Sequence, residues 1–204
     1  MPRYVDHAER RQAIVEAAWA LIADEGYEAV TIRRLAQELG GATGRITNFF
    51  STKDDILMAV LDELTASHHS GLAQLSSALD DAGADLELIA SAIVESLPLD
   101  DDRIRDWKIW LVFSSRASIS PVVAKQHQEV YEAWRSRLAT ALSGAAGSGQ
   151  QVTALQQRAE QLLAFIDGLG VHLLIEPDRA EAEALFELVY SQIAATLAQL
   201  GAEV

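Results

Sequence analysis

The sequence predicts an all-α protein of about nine helices, in which a small N-terminal three-helix unit is joined to a larger helical body. Three observations carry that expectation. Half of the 204 residues are apolar while aromatics make up only 6%, so the core is built of Ala, Leu, Ile and Val, a mixture that favours helix. Apolar residues recur at helical spacing between punctuation points: Pro2, Pro98, Pro121, Pro177 and the Gly/Ser-rich stretch at 143–151. No convincing alternation of period two marks a strand.

The first helix is expected from about Asp6 to Glu25, with Ile14, Ala17, Ala18, Leu21 and Ile22 on one face, Trp19 as a core residue of the small unit and Gly26 as its stop. Thr31 has the chemistry of an N-cap for the second, which carries Ile32, Leu35, Ala36 and Leu39 and ends at Gly40-Gly41. Ala42 to Phe49 form a helix of about two turns. Ser51 and Asp54 make a capping-box pattern that opens a longer helix through Ile56, Leu57, Val60, Leu61 and Leu64 to about Ala78. Further helices are expected at roughly 84–96, 101–117, 121–142, 151–175 and 179–200. Asp100, Asp101, Asp102 and Asp178 sit at helix starts, where the macrodipole favours negative charge.

The absence of cysteine excludes disulfides, thiolate zinc sites and cysteine nucleophiles. No apolar run is long enough to span a membrane, and the charged start MPRYVDHAERR is unlike a signal peptide, so a soluble cytoplasmic protein is expected. The net charge of −14 argues at first against a polyanionic partner. The charge is unevenly placed, however: residues 1–60 sum to −2, residues 61–204 to −12, and residues 31–53 carry Arg33, Arg34, Arg45 and Lys53 against Glu38 alone, a local +3.

Two short helices joined by a glycine turn and preceded by a longer one form a helix-turn-helix, whose second helix can enter the major groove. Leu35, Ala36 and Leu39 are expected to face Ile46 and Phe49 and fix the angle between the two. The second helix then turns out Thr43, Arg45, Thr47 and Asn48, residue types that suit guanine, adenine, the thymine methyl and phosphate oxygens. Gly44 permits close approach of the backbone to DNA. Thr31, Arg33 and Arg34 at the start of the second helix, and Lys53 with the amides at the start of the fourth, are the candidate phosphate contacts. The bland reading of each single cation is a solvated surface charge.

Three runs, IVEAAWALIADEGY (Ile14 to Tyr27), TIRRLAQELG (Thr31 to Gly40) and GRITNFFSTKDDIL (Gly44 to Leu57), resemble the N-terminal domain of the TetR (tetracycline-repressor-like) transcriptional regulators. Where that family's usual signature has Val-Ser and later a phosphate-contacting Tyr, this chain has Gly41, Ala42 and Thr47. Arg45 and Asn48 then imply a distinct operator. Residues 100–117, 127–138 and 165–177 are similar to the branch that contains the choline-sensing repressor of betaine synthesis. The resemblance implies residues 1–51 as a helix-turn-helix DNA-binding domain and 52–204 as a helical effector-binding and dimerisation domain. It further implies a homodimer through the last two helices and an effector cavity among the middle ones.

The candidate effector residues are Trp107, Trp110, Phe113, His127, Tyr131, Trp134, Phe165 and His172. Converging, these aromatics would suit a cation; dispersed, they are ordinary packing residues. Metal and enzyme readings find no support. The adjacent His68 and His69 point about 100° apart on a helix, no Glu-x-x-His occurs, GGATG lacks the Lys-Ser/Thr of a phosphate-binding loop, and no Gly-x-Ser-x-Gly elbow is present. No cofactor or metal is therefore expected. The expected function is a ligand-responsive DNA-binding regulator, most simply a repressor released from its operator by a small molecule. The alternative is a helical ligand-binding or scaffold protein without DNA binding.

Overall fold

A computed structural model of the chain describes residues 2–66, 77–79, 85–146, 151–179 and 181–202. Its α-helices include α1 Pro2–Glu25, α2 Ile32–Glu38, α3 Gly44–Thr47, α4 Lys53–Ala66, α5 Leu86–Ser96, α6 Asp101–Ala117, α7 Pro121–Ala146, α8 Val152–Ile175 and α9 Ala182–Ala202, and residues 77–79 are also helical. Short 3-10 turns at Tyr27–Ala29 and Pro177–Arg179 interrupt them, and no strand occurs among the described residues. The expected continuation of α4 to about Ala78 crosses 67–76, which lies outside the described residues, as do His68 and His69.

The helices cluster as two compact units, Met1–Ala66 with Lys108–His127, and Ser67–Trp107 with Gln128–Val204. In the first, α1 packs on α4 and α2, and α2 packs on α3. Ile14, Val15, Ala18, Leu21 and Ile22 of α1 and Ile56, Leu57, Val60, Leu61 and Leu64 of α4 are all buried. Each of the Val, Leu and Ile side chains removed from water contributes about 1.5–3 kcal/mol, which is what fixes these helices against one another. Trp19 is only half-buried. In the second unit α5 packs on α9, with Ile89, Ile93, Leu185, Val189 and Ile193 buried, and α9 also packs on α8.

Helix ends follow local chemistry. Gly26 stops α1 at φ +86, a left-handed conformation that other residues rarely adopt. Gly40, at φ +57, closes α2 in a Schellman arrangement: its amide donates to the Gln37 carbonyl and the Gly41 amide to that of Ala36. Asp85 and Asp100 cap α5 and α6 by accepting from the Leu88 and Arg103 amides, so part of the body's acidity serves helix starts.

Three expectations are corrected. The third helix is Gly44–Thr47, one turn and not the two expected over Ala42 to Phe49, because tighter turn bonds, Arg45 amide to Ala42 carbonyl and Phe49 amide to Ile46 carbonyl, close both its ends. The capping box of α4 is Thr52 and Asp55, one residue later than Ser51 and Asp54: the Asp55 amide donates to Thr52 Oγ1 (3.0 Å) and the Thr52 amide to Asp55 Oδ2 (2.8 Å). In the helix-turn-helix core, Leu35, Ala36 and Ile46 are buried with Phe50, whereas Phe49 and Leu39 are only half-buried. Phe50 lies four residues after Ile46, on the same face, and its amide donates to the Ile46 carbonyl.

Candidate nucleic-acid interface

Because Ile46 and Phe50 point inward from α3 and the segment that follows it, Thr43, Gly44, Arg45, Thr47 and Asn48 are left on the exposed side. A Cβ built on Gly44 would meet nothing within 4 Å, so the backbone there is open to a close partner. Gly41 does a different job. A Cβ on it would fall 2.6 Å from Arg45 Cδ, so the missing side chain leaves the space in which the Arg45 stem lies. Between α1 and α3 a cleft of about 370 Å³ is lined by Arg10, Arg45, Asn48 and Phe49 among others. The His7 ring of α1 lies tilted against Phe49, 4.4 Å between ring centroids and 47° between planes.

The phosphate candidates fall into two classes. Arg33 and Arg45 are exposed and, among the described residues, pair with no carboxylate. Arg34 is already engaged, with Glu25 Oε1 at 2.8 Å and Glu38 Oε1 at 2.9 Å, and Lys53 Nζ lies 3.4 Å from Glu28 Oε2. The +3 of residues 31–53 thus becomes +1 once Glu25 and Glu28 are counted in space. These pairs are exposed and worth at most about 1 kcal/mol each, so an arriving phosphate can take over either cation at little cost. Thr31 is the N-cap of α2: its Oγ1 accepts from the Arg34 amide at 3.0 Å. At the start of α4 the amides of Ser51 and Thr52 both donate to Asp55 Oδ2, which leaves fewer free amides there than the sequence implies.

Sequence reasoning missed a polar cluster directly behind this face. Lys53 Nζ sits 3.9 Å above the ring centroid of Tyr27. The Tyr27 hydroxyl donates to Asp54 Oδ1 at 3.0 Å. Asp54 also accepts from Arg116 Nε (2.8 Å) and Nη2 (3.2 Å) and from Ser120 Oγ (2.8 Å). The Arg116 guanidinium, before any other influence, holds the Asp54 carboxyl below the usual carboxylate range. Burial, reinforced by the bond to Asp54, pushes the Tyr27 phenol up. The available signal was the second aspartate of Lys53-Asp54-Asp55, since a helix start needs only one.

The candidate effector residues divide between the units. In the first, Trp110, Phe113 and His127 form a ring cluster with centroid separations of 5.7, 5.8 and 5.4 Å, and burial pushes the His127 imidazole down. In the second, Trp107 donates from its indole N–H to the Ser96 carbonyl at 2.7 Å and lies against Gly170. Tyr131 donates to Asp167, Trp134 is buried under the Arg137 guanidinium, Phe165 is half-buried and His172 is exposed. Two clefts between α7 and α8, of about 300 and 540 Å³, are lined by residues such as Arg135, Glu160, Thr140 and Leu155 and by none of these aromatics.

Among the described residues no helix is long and apolar enough to cross a membrane, and no group of three or more His, Asp or Glu is placed to hold a metal ion. Residues 14–60 match the family model described as bacterial regulatory proteins, tetR family. Residues 85–198 match that described as BetI-type transcriptional repressor, C-terminal. The HTH-type transcriptional regulator PksA of Bacillus subtilis is 24% identical over 95% of this chain and 92% of its own length. A transcriptional regulator from Rhodococcus sp. Rha1 superposes with a TM-score of 0.78 at 28% identity, covering 93% of this chain and 96% of that one. One from Saccharomonospora viridis, solved in complex with choline, superposes with a TM-score of 0.75 at 26% identity, covering 92% and 96%.

Proposed function

The chain belongs to the tetR family of bacterial regulatory proteins, non-enzymatic DNA-binding proteins, and on that premise we propose that it is a cytoplasmic, homodimeric repressor released from operator DNA by a small molecule. One observation carries the reading: the exposed Thr43-to-Asn48 surface, whose attitude is set by buried Leu35, Ile46 and Phe50, presents Arg45, which like the exposed Arg33 of α2 has no carboxylate partner among the described residues. In this proposal Arg45 and Asn48 read base edges, Thr43, Gly44 and Thr47 approach bases and phosphates, and Thr31, Arg33, Arg34 and Lys53 hold phosphates. Residues 1–51 are the reading head and 52–204 the effector-binding and dimerisation part. Pairing through the last two helices, where Leu188 of α9 is exposed, would present two reading heads to half-sites about one helical turn apart.

The choline complex of the Saccharomonospora relative supports a cationic effector, and the rings of Trp110 and Phe113 with a neutral His127 suit one. Effector binding worth about 1–3 kcal/mol of coupling would change operator affinity roughly 5- to 150-fold.

A gel shift with the gene's own upstream DNA tests the reading. Arg45→Ala should weaken binding and relax sequence preference, and Lys53→Ala should weaken it uniformly across sequences. Equal binding by wild type and both variants would remove the assignment of the reading helix, and absence of any shift would leave a ligand-binding protein without DNA contact. For the effector, a thermal-shift screen with choline and polyamines should show stabilisation by at least one cation, and none would remove the cationic class.

A further inference from the structure

We propose that Asp54 is a positioning residue for operator binding, one that fixes Lys53 and the root of the reading helix without touching DNA itself. The proposal rests on the DNA-binding reading above. Asp54 is not needed to cap α4, because Thr52 and Asp55 already do so. Its carboxylate instead receives four hydrogen bonds, from Tyr27, from Arg116 twice and from Ser120, which matches the roughly four acceptor positions that a carboxylate has. The donors come from three separate places: the turn between α1 and α2, the last turn of α6 and the residue just before α7. A two-point guanidinium contact fixes direction as well as distance, so Asp54 cannot rotate without breaking several bonds together.

Two features connect this cluster to the DNA-facing side. The Tyr27 ring whose hydroxyl Asp54 holds is the same ring that carries the Lys53 ammonium on its face. Releasing the hydroxyl frees the ring, and with it the seat of Lys53. Asp54 also stands in the first turn of α4, separated from α3 only by a short segment in which Phe50 is buried, so a change in the angle of that turn is passed to Arg45 and Asn48. Within the same unit Lys108 Nζ donates to the Ala23 carbonyl (3.1 Å) and Gln126 Nε2 to Asp62 Oδ1 (2.8 Å). The 108–127 stretch is therefore tied at three points to the first four helices, and the Asp54 tie is the one that reaches the phosphate-facing residues.

The test measures affinity for the upstream DNA by fluorescence anisotropy, with folding followed separately by circular dichroism and thermal unfolding. Asp54→Asn, folded at the assay temperature, should bind about tenfold more weakly, the scale of losing a charge-assisted bond. Tyr27→Phe, which keeps the ring and loses only the hydroxyl, should lose part of the same affinity. Lys53→Ala combined with Asp54→Asn should bind no worse than Asp54→Asn alone, because the Lys53 contact is already lost there. A merely structural role predicts lower unfolding temperatures with unchanged affinity of the folded protein, and that result overturns the proposal. Should Asp54→Asn fail to fold, Arg116→Lys, which keeps the charge and cannot supply two parallel N–H bonds, carries the test, and undiminished affinity there overturns it. Wild-type protein with no preference for the upstream DNA removes the regulator reading and this proposal together, whereas wild-type binding matched by folded Asp54→Asn removes only the positioning role.

Discussion

Gly170→Ala should destabilise the protein sharply, although alanine is ordinarily the better residue in a helix interior. A Cβ at position 170 would lie 2.0 Å from Cη2, 2.1 Å from Cζ3 and 2.4 Å from Cζ2 of Trp107, far inside the separation that carbon atoms tolerate. The indole cannot simply slide away, because its N–H is held by the Ser96 carbonyl at 2.7 Å and the side chain is buried. Overpacking costs about 1–3 kcal/mol, and a broken buried hydrogen bond about 1–3 kcal/mol more. The helix-propensity gain of about 0.8–1 kcal/mol offsets part of this. A net loss of about 1–5 kcal/mol should lower the Tm by roughly 2–20 °C in a chain of this size. Thermal unfolding by circular dichroism reads it. Trp107→Phe removes the colliding ring atoms, so Gly170→Ala should cost less in that background than in the parent. A Gly170→Ala protein as stable as the parent would refute the packing argument.

Three other outcomes are expected. The folded pKa of Asp54 lies below its unfolded value of about 3.9, so its pairing stabilises fully above that pH and is lost as pH falls through the folded value. Urea unfolding should therefore show a flatter acid limb in Asp54→Asn than in wild type. His127 is likewise depressed, by burial, so its contribution is present above the unfolded value of about 6.5 and declines as pH falls below it. The Tm difference between His127→Phe and wild type should change across that interval, and a constant difference would contradict the burial of a neutral ring. Thr52→Ala should cost about 0.5–2 kcal/mol while Ser51→Ala costs little, since only Thr52 Oγ1 receives the Asp55 amide. Chemical denaturation of the two variants distinguishes the capping registers.

The all-α class, the stop of α1 at Gly26, the Thr31 cap and the exposed Thr43, Arg45, Thr47 and Asn48 were legible because each depends on local chemistry or on helical period. Two of the misreadings were one-residue shifts between equivalent local options. Ser51/Asp54 and Thr52/Asp55 have identical capping spacing, and what separates them is Arg116, 62 residues away, which takes Asp54 for itself. Phe49 and Phe50 are adjacent aromatics, and it is Phe50, whose amide bonds to the Ile46 carbonyl, that is buried with Ile46. The charge patch was overestimated for a related reason. A window along the chain counts Glu38, whereas the folded surface also brings Glu25 to Arg34 and Glu28 to Lys53. The effector residues stayed ambiguous because ring chemistry alone does not distinguish Trp110, in a ring cluster with Phe113 and His127, from Trp107, locked on Gly170.

Competition binding to the gene's upstream DNA is the most direct test of the central claim. The full-length protein is titrated against a labelled upstream fragment in the presence of excess unrelated DNA, with Arg45→Ala alongside at two salt concentrations. A specific complex that survives the competitor, a shallow salt dependence in keeping with a locally weak positive face, and loss of base preference in Arg45→Ala are expected. Binding that unrelated DNA displaces as readily as upstream DNA, with Arg45→Ala indistinguishable from wild type, would contradict that claim.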